Sequence, residues 1–282
     1  MINPNKIDVV LYHGSCSDGF AAAYSAWKLL GNHAKYIPSY HGDPPPNVKG
    51  KNVAILDFSY KNNVIKQMVK DAASLIVIDH HKSAEEELRD VKNAFFDMNH
   101  SGAILAWNFF HPDTEPPKFI KYIEDRDLWK FKLPYSKEFS AAFDMVAWEF
   151  SDYEAFENDS VFDDAVERGS FILAYSKTVL KKIAGKAVHR KFEGLNVKVV
   201  NSSHWMSEIG GMISHDCDCA MVWYYCHETC CTKVSLRSFH DNIDVSNISK
   251  KFGGGGHKKS AGFILPKGKH IEEIFDVERG SD

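Results

Sequence analysis

Three short apolar runs set the limits on what this chain can fold into. Val9-Val10-Leu11-Tyr12, Val53-Ala54-Ile55-Leu56 and Leu75-Ile76-Val77-Ile78 are mostly β-branched or aliphatic and flanked by polar residues. Their length and composition predict buried strands. Helical patterns stand between them, an Ala-rich one over 19–30 and an amphipathic one over 62–70. Strands alternating with helices imply a mainly parallel sheet covered on both faces. Each run also ends in polar groups: His13 and Asp18 after the first, Asp57 after the second, Asp79-His80-His81 after the third. The carboxyl ends of such strands are where open α/β sheets carry their ligands.

Downstream, Ser101 is placed to cap a helix over 103–110, and the pattern stays mostly helical from 119 to 184. From 197 it changes to strands over 197–200, 220–226, 232–238 and 262–265, with a small helix over 207–215. The expectation is an α/β chain in two parts. A catalytic, mainly parallel-sheet domain covers 1–175, a basic helical connector 176–190, and a second, smaller α/β domain 191–282.

The net charge of −4 argues against wrapping long duplex nucleic acid through a basic surface. It permits a small anionic substrate, because bound cations supply positive charge locally. The sequence shows neither a membrane-spanning stretch nor a signal-peptide core, so a cytoplasmic chain without membrane contact is expected. Six cysteines in 282 residues do not make a disulfide scaffold. Nor do they form paired C-x2-C knuckles for zinc.

Carboxylates with some imidazole suit divalent ions of the manganese or magnesium type. Two such ions close together can activate a water and stabilise the leaving oxygen of a phosphoester. Asp57, alone at its strand end, is the natural carboxylate to bridge them. His13, Asp18 and Asp57 would hold one ion; Asp57, His80 and Asp125 (from Glu124-Asp125-Arg126-Asp127) would hold the other. His100 and Ser101, at a helix start, are a candidate anion-binding pair. Further on, Gly253-Gly254-Gly255-Gly256-His257 reads as a loop whose successive N–H groups face an anion. Arg237, one strand earlier, is suited to bidentate phosphate binding.

These motifs resemble the DHH phosphoesterase superfamily over almost the whole chain. The amino-terminal part matches through His13…Asp18-Gly19, Asp57-Phe58-Ser59, Asp79-His80-His81 and Glu124-Asp125-Arg126-Asp127. The carboxy-terminal part is similar to the DHH-associated substrate-binding domain, through Ser235-Leu236-Arg237-Ser238 and the glycine run up to Ala261-Gly262. The resemblance implies metal ligands at His13, Asp18, Asp57, His80 and Asp125, with Asp57 also in a catalytic role. It sets His81 beside the reacting phosphate. Arg237 and Gly254, Gly255, Gly256 and His257 would grip the rest of the substrate.

The activity implied is metal-dependent hydrolysis of phosphodiester or phosphomonoester bonds in short oligonucleotides or small nucleotides, of the nanoRNase or exonuclease kind. Exopolyphosphatase activity on inorganic polyphosphate is the enzymatic alternative, and a catalytically weak nucleotide sensor the alternative of another class. Many members read Asp-Gly-Asp where this chain has Asp18-Gly19-Phe20. The second metal site thereby loses a carboxylate, so two Mn2+ (or Mg2+) sites are expected, the second weaker; Phe20 itself is expected to pack in the helix core with Tyr24.

Overall fold

Alternation within the apolar runs decides the first layer arrangement. In the computed structural model, which describes residues 2–276, the chain opens with β1 (Val9–His13), α1 (Ser17–Leu30), β2 (Lys35–Ser39), β3 (Asn52–Leu56), α2 (Asn62–Asp71), β4 (Ser74–Asp79), α3 (Lys82–Leu88) and β5 (Ala94–Phe96). The five strands form one all-parallel sheet in the order β2-β1-β3-β4-β5. The register sets Leu11 beside Ile55 and Ile55 beside Val77, so like-facing residues line up across strands. Val9, Leu11, Val53, Ile55, Leu75 and Val77 pack to one side with Ile65 and Met68 of α2. Val10, Tyr12, Ala54, Leu56, Ile76 and Ile78 pack to the other. Both faces are thus buried, as the sequence pattern demands.

The second face is covered by α1 together with α4 (Gly102–Phe110), α5 (Lys118–Asp127), α6 (Ser136–Phe143) and α7 (Phe150–Ala155). Ala21, Ala22, Ala23 and Ala26 of α1, and Ala103 and Ala106 of α4, are fully buried. Their small side chains let the two helix backbones approach closely. Around them lies an aromatic shell of Tyr24, Phe119, Phe139, Phe143 and Tyr153.

Contacts divide the chain into Met1–Ala174 and Tyr175–Asp282, a division that falls within α8 (Asp159–Ala184). The second unit contains β6 (Val188–Phe192), β7 (Leu195–Asn201), α9 (Met206–Ile213), β8 (Cys219–Cys226), β9 (Cys231–Arg237), α10 (Val245–Lys251), β10 (Gly255–His257) and β11 (Ser260–Leu265). They make a mixed six-stranded sheet ordered β10-β11-β9-β8-β7-β6, in which only the β7–β8 pair is parallel. The helix expected to connect the domains ends at Ala184, and the basic segment from Val188 is strand because it pairs antiparallel with β7. Residues 277–282 of the expected second domain lie outside the described residues. Among the described residues, no helix is long and apolar enough to cross a membrane.

Ala22→Leu tests the close α1–α4 packing. Overfilling this contact is expected to cost about 1–3 kcal/mol of stability, read as a lower urea midpoint with an unchanged slope.

Candidate metal centre

Strand order 2-1-3-4-5 reverses direction between β1 and β3, and such a switch point leaves a crevice at the carboxyl ends of the strands. The polar residues expected from sequence converge there. His13 closes β1, Asp57 follows β3, Asp79 closes β4, and His80 and His81 come next. Asp18 lies in the first turn of α1 and Asp127 is the last residue of α5. Asp57 sits in the left-handed region at φ 53°, which aspartate tolerates better than most side chains. Two glycines make room. A Cβ on Gly19 would lie 2.3 Å from the His13 carbonyl oxygen, and one on Gly102 would lie 2.4 Å from the Asp57 Cβ.

Asp57 stands in the middle. Its Oδ2 is 3.5 Å from His13 Nδ1, and its Oδ1 is 3.2 Å from His80 Nε2. His80 Nε2 is also 3.6 Å from Asp127 Oδ2 and 3.7 Å from Asp18 Oδ2. Asp79 Oδ1 is 2.7 Å from His81 Nδ1 and accepts from the His80 backbone N–H at 2.7 Å, so it orients the His81 ring and ties down the backbone at His80. The Asp18 carboxylate accepts from the Gly102 and Ala103 N–H groups at 2.7 and 3.0 Å, which seats it at the start of α4.

Several sets of donors are close enough to share one ion. His13, Cys16 and Asp57 bring ligand atoms within 4.8 Å of one another, and so do Asp18, His80 and Asp127, and Asp57, Asp79, His80 and His81. Asp57 Oδ1, Asp79 Oδ2 and Asp127 Oδ2 are buried without a well-directed hydrogen-bond donor. Buried carboxylate oxygens left in this state are costly, and a cation relieves that cost. The residues therefore fit a metal.

The charges agree. Burial opposes ionisation of Asp57, but the adjoining His13 and His80 side chains and the field of His81 outweigh it, pulling its pKa below the usual carboxylate range. Burial, reinforced by the Asp57 charge, pushes Asp18 and Asp127 up. Burial also works against the histidine cations, yet the Asp57, Asp127 and Asp18 carboxylates raise His80 to about 10. Asp79 and Asp57 raise His81 to about 9.

Not every expected residue joins the cluster. Asp125, expected as a ligand, accepts instead from the Lys132 and Leu133 backbone N–H groups at 2.9 and 3.1 Å, holding the loop after α5. Two residues on, Asp127 takes the place by His80. The two carboxylates share one short acidic segment, and only the turn of the helix tells them apart. Phe20 is buried against Tyr12, Phe150 and Tyr153 and takes no part in the site. Ser101 is buried; its hydroxyl caps Ile104, and its N–H donates to Glu124, whose carboxylate also meets His100 Nδ1 at 3.1 Å. Cys16 was not anticipated at all.

In the second unit the glycine run is not an open anion-binding loop. Gly255 and Gly256 belong to β10, paired antiparallel with Gly262 and Ala261, and His257 pairs with Ser260. A Cβ on Gly254 would lie 2.1 Å from the Gly262 carbonyl oxygen and one on Gly256 2.6 Å from the Ser260 carbonyl oxygen, so close strand packing accounts for the missing side chains at these two positions. Phe252 stacks on Phe263 in the core. Arg237 is half-buried, donating from Nη1 to the Ser235 hydroxyl and the Leu236 carbonyl and from Nη2 to the Ser207 hydroxyl. Burial lowers its pKa to about 10, which leaves it charged at neutral pH.

No protein-family model matches the chain. It is 34% identical over 291 aligned residues to the uncharacterized protein R106 of Acanthamoeba polyphaga mimivirus, covering 94% of this chain and 69% of the viral protein. The chain belongs to the family of that viral protein. The chain is also similar to the oligoribonuclease NrnB of Bacillus subtilis (strain 168), at 24% identity over 238 residues and 76% of this chain; the match spans 58% of NrnB. Among solved structures, an exopolyphosphatase-related protein from Bacteroides fragilis aligns over 96% of this chain and 89% of its own, at 13% identity and a TM-score of 0.56. The chain shares the fold of that protein, and its all-parallel five-stranded sheet with a second, mixed sheet is consistent with a two-domain DHH fold.

Two outcomes follow from this geometry. Asp125→Ala leaves two backbone donors unpaired, so it is expected to lose about 1–3 kcal/mol of stability and keep its metal. Asp127→Ala is expected to lose metal with little loss of stability in the metal-free state. Calorimetric metal titration and urea unfolding of both variants check the pair. Titration of the histidines gives the second. A pKa raised on folding contributes stability that is complete below the ordinary value of 6.5 and is lost as pH rises through about 9 and about 10. The chelator-treated chain is therefore expected to unfold at less urea with each step of pH above 6.5. Bound metal displaces the His80 proton and is expected to weaken the trend.

Proposed function

We propose that this chain is a metal-dependent phosphohydrolase that cuts phosphoester bonds of short oligonucleotides or small nucleotides. The observation that carries this reading is Asp57, a single buried carboxylate whose two oxygens face different ligand groups. That is the arrangement a pair of divalent ions requires. One position would be formed by Asp18, His80 and Asp127, with Asp57 Oδ1 3.2 Å from His80 Nε2 beside it, and this oxygen-rich donor set suits Mn2+ or Mg2+. The other is formed around His13 and Asp57 Oδ2, with fewer hard donors, and is the weaker site for those metals. Bound there, the ions would neutralise charge on the phosphoryl oxygens and make a water more acidic.

The chain's own residues do the rest. His81, held by Asp79 and partly open to solvent, carries a proton at neutral pH and presents a positive ring to a phosphate oxygen. Asp79 keeps that ring in one orientation and its charge in place. In the second unit, the fixed guanidinium of Arg237 is suited to a phosphate away from the reacting one. The name of NrnB supports the choice of short RNA over polyphosphate.

The test is a panel of a dinucleotide, a nucleoside bisphosphate, a cyclic dinucleotide and polyphosphate, each with the manganese-loaded chain. Turnover of one of the nucleotide substrates is expected. Asp57→Ala should fall to the background rate with the fold retained by circular dichroism. Asp79→Asn, which keeps shape but weakens the hold on His81, should lose about 10–100-fold. Polyphosphate as the preferred substrate, or full activity in Asp57→Ala, would refute the reading.

A further inference from the structure

We infer that Cys16 is a metal ligand, its thiolate joining His13 and Asp57 to complete one cation position and tilting that position toward a borderline metal such as zinc, cobalt(II) or iron(II). This rests on the two-cation reading above and adds a residue and a metal preference to it.

The argument begins with where the sulfur is. A ring nitrogen of His13, the Cys16 Sγ and an oxygen of Asp57 all lie within 4.8 Å of one another. They are brought together from both sides of one turn. His13 ends β1, and Cys16 precedes the first residue of α1 with extended backbone at φ −138° and ψ 131°. Gly19 has no Cβ, so the first turn of α1 can press against the His13 carbonyl.

Cys16 also occupies a position where helices prefer serine, threonine, aspartate or asparagine, whose oxygens cap the exposed N–H groups. Serines flank it at positions 15 and 17. The residue facing the carboxylates is the one with sulfur.

Counting donors gives the second argument. Without Cys16, this position has one imidazole and one carboxylate oxygen. Its neighbour has Asp18, His80 and Asp127 besides the other Asp57 oxygen. With Cys16 the poorer position reaches three protein ligands of nitrogen, sulfur and oxygen type. Three such ligands with a place left for water or substrate is the pattern of catalytic zinc sites. Thiolate is a soft ligand and selects against magnesium. On coordination a metal–sulfur bond forms, the S–H bond breaks, and the thiol proton leaves to solvent.

Cobalt(II) is the probe, because thiolate coordination gives a charge-transfer band in the near ultraviolet that nitrogen and oxygen ligands do not. The full-length, metal-stripped chain titrated with cobalt(II) is expected to develop this band. Cys16→Ser should remove it while keeping the visible ligand-field bands of the remaining cobalt. A Cys226→Ser, Cys230→Ser, Cys231→Ser triple variant should keep it, which excludes the three partly exposed cysteines of the second unit. Cys16→Asp is expected to shift the zinc-to-manganese affinity ratio at least about tenfold toward manganese.

Alkylation of the wild-type chain, mapped by mass spectrometry, serves if Cys16→Ser does not fold. Label at Cys16 should fall about tenfold when zinc is bound and stay unchanged with magnesium. Cobalt bound with ligand-field bands alone, a charge-transfer band surviving Cys16→Ser, or zinc-independent labelling would overturn the role of Cys16 and leave the two-cation reading intact. Failure of the wild-type chain to bind cobalt, zinc or manganese would overturn both.

Discussion

The Asp57 carboxylate is the constraint to which the first unit is fitted. It is buried, charged, and carried on a left-handed backbone. Such a group persists only where its surroundings over-determine it. Here three strands deliver imidazoles or carboxylates around it, and two glycines let helix starts come close enough to enclose it. Removing water from this cluster makes each contact stronger and each mismatch more expensive. The parallel sheet and its helices can be read as the frame that keeps seven carboxylate and imidazole groups from relaxing away from one another.

Much of that frame was legible in the sequence, because burial on both faces writes itself as apolar runs at fixed spacing. The runs ending at Tyr12, Leu56 and Ile78 gave both the strands and the positions of His13, Asp57 and the Asp79-His80-His81 motif. What failed was finer. Glu124-Asp125-Arg126-Asp127 offered three carboxylates, and the sequence carries no mark that the second would be consumed by the loop at Lys132 and Leu133. Cys16 was overlooked because a half-buried thiol is usually packing, and nothing local shows that α1 will turn it toward Asp57.

In the second unit Gly253-Gly254-Gly255-Gly256 invites the picture of bare amides cradling a phosphate. The run also has a packing role, since Gly255 and Gly256 pair with β11 and a Cβ on Gly254 or Gly256 would meet that strand's backbone. The fork of Arg237 is already pre-set by two serine hydroxyls and a carbonyl. Preorganisation of that kind lowers the entropy lost when a phosphate is bound.

The seat of Asp18 on α4 has a consequence for how the protein is built. Its bonds to Gly102 and Ala103 close loops of 84 and 85 residues. Contacts so distant in sequence are paid for in chain entropy before they return anything, so they form after the local strand–helix units. The ligand cluster is thus a late product of folding, and no half-made chain offers a competent binding place to a passing ion. A metal bound at this cluster would act as a clasp on a finished object: it would hold the native state by mass action and not nucleate it.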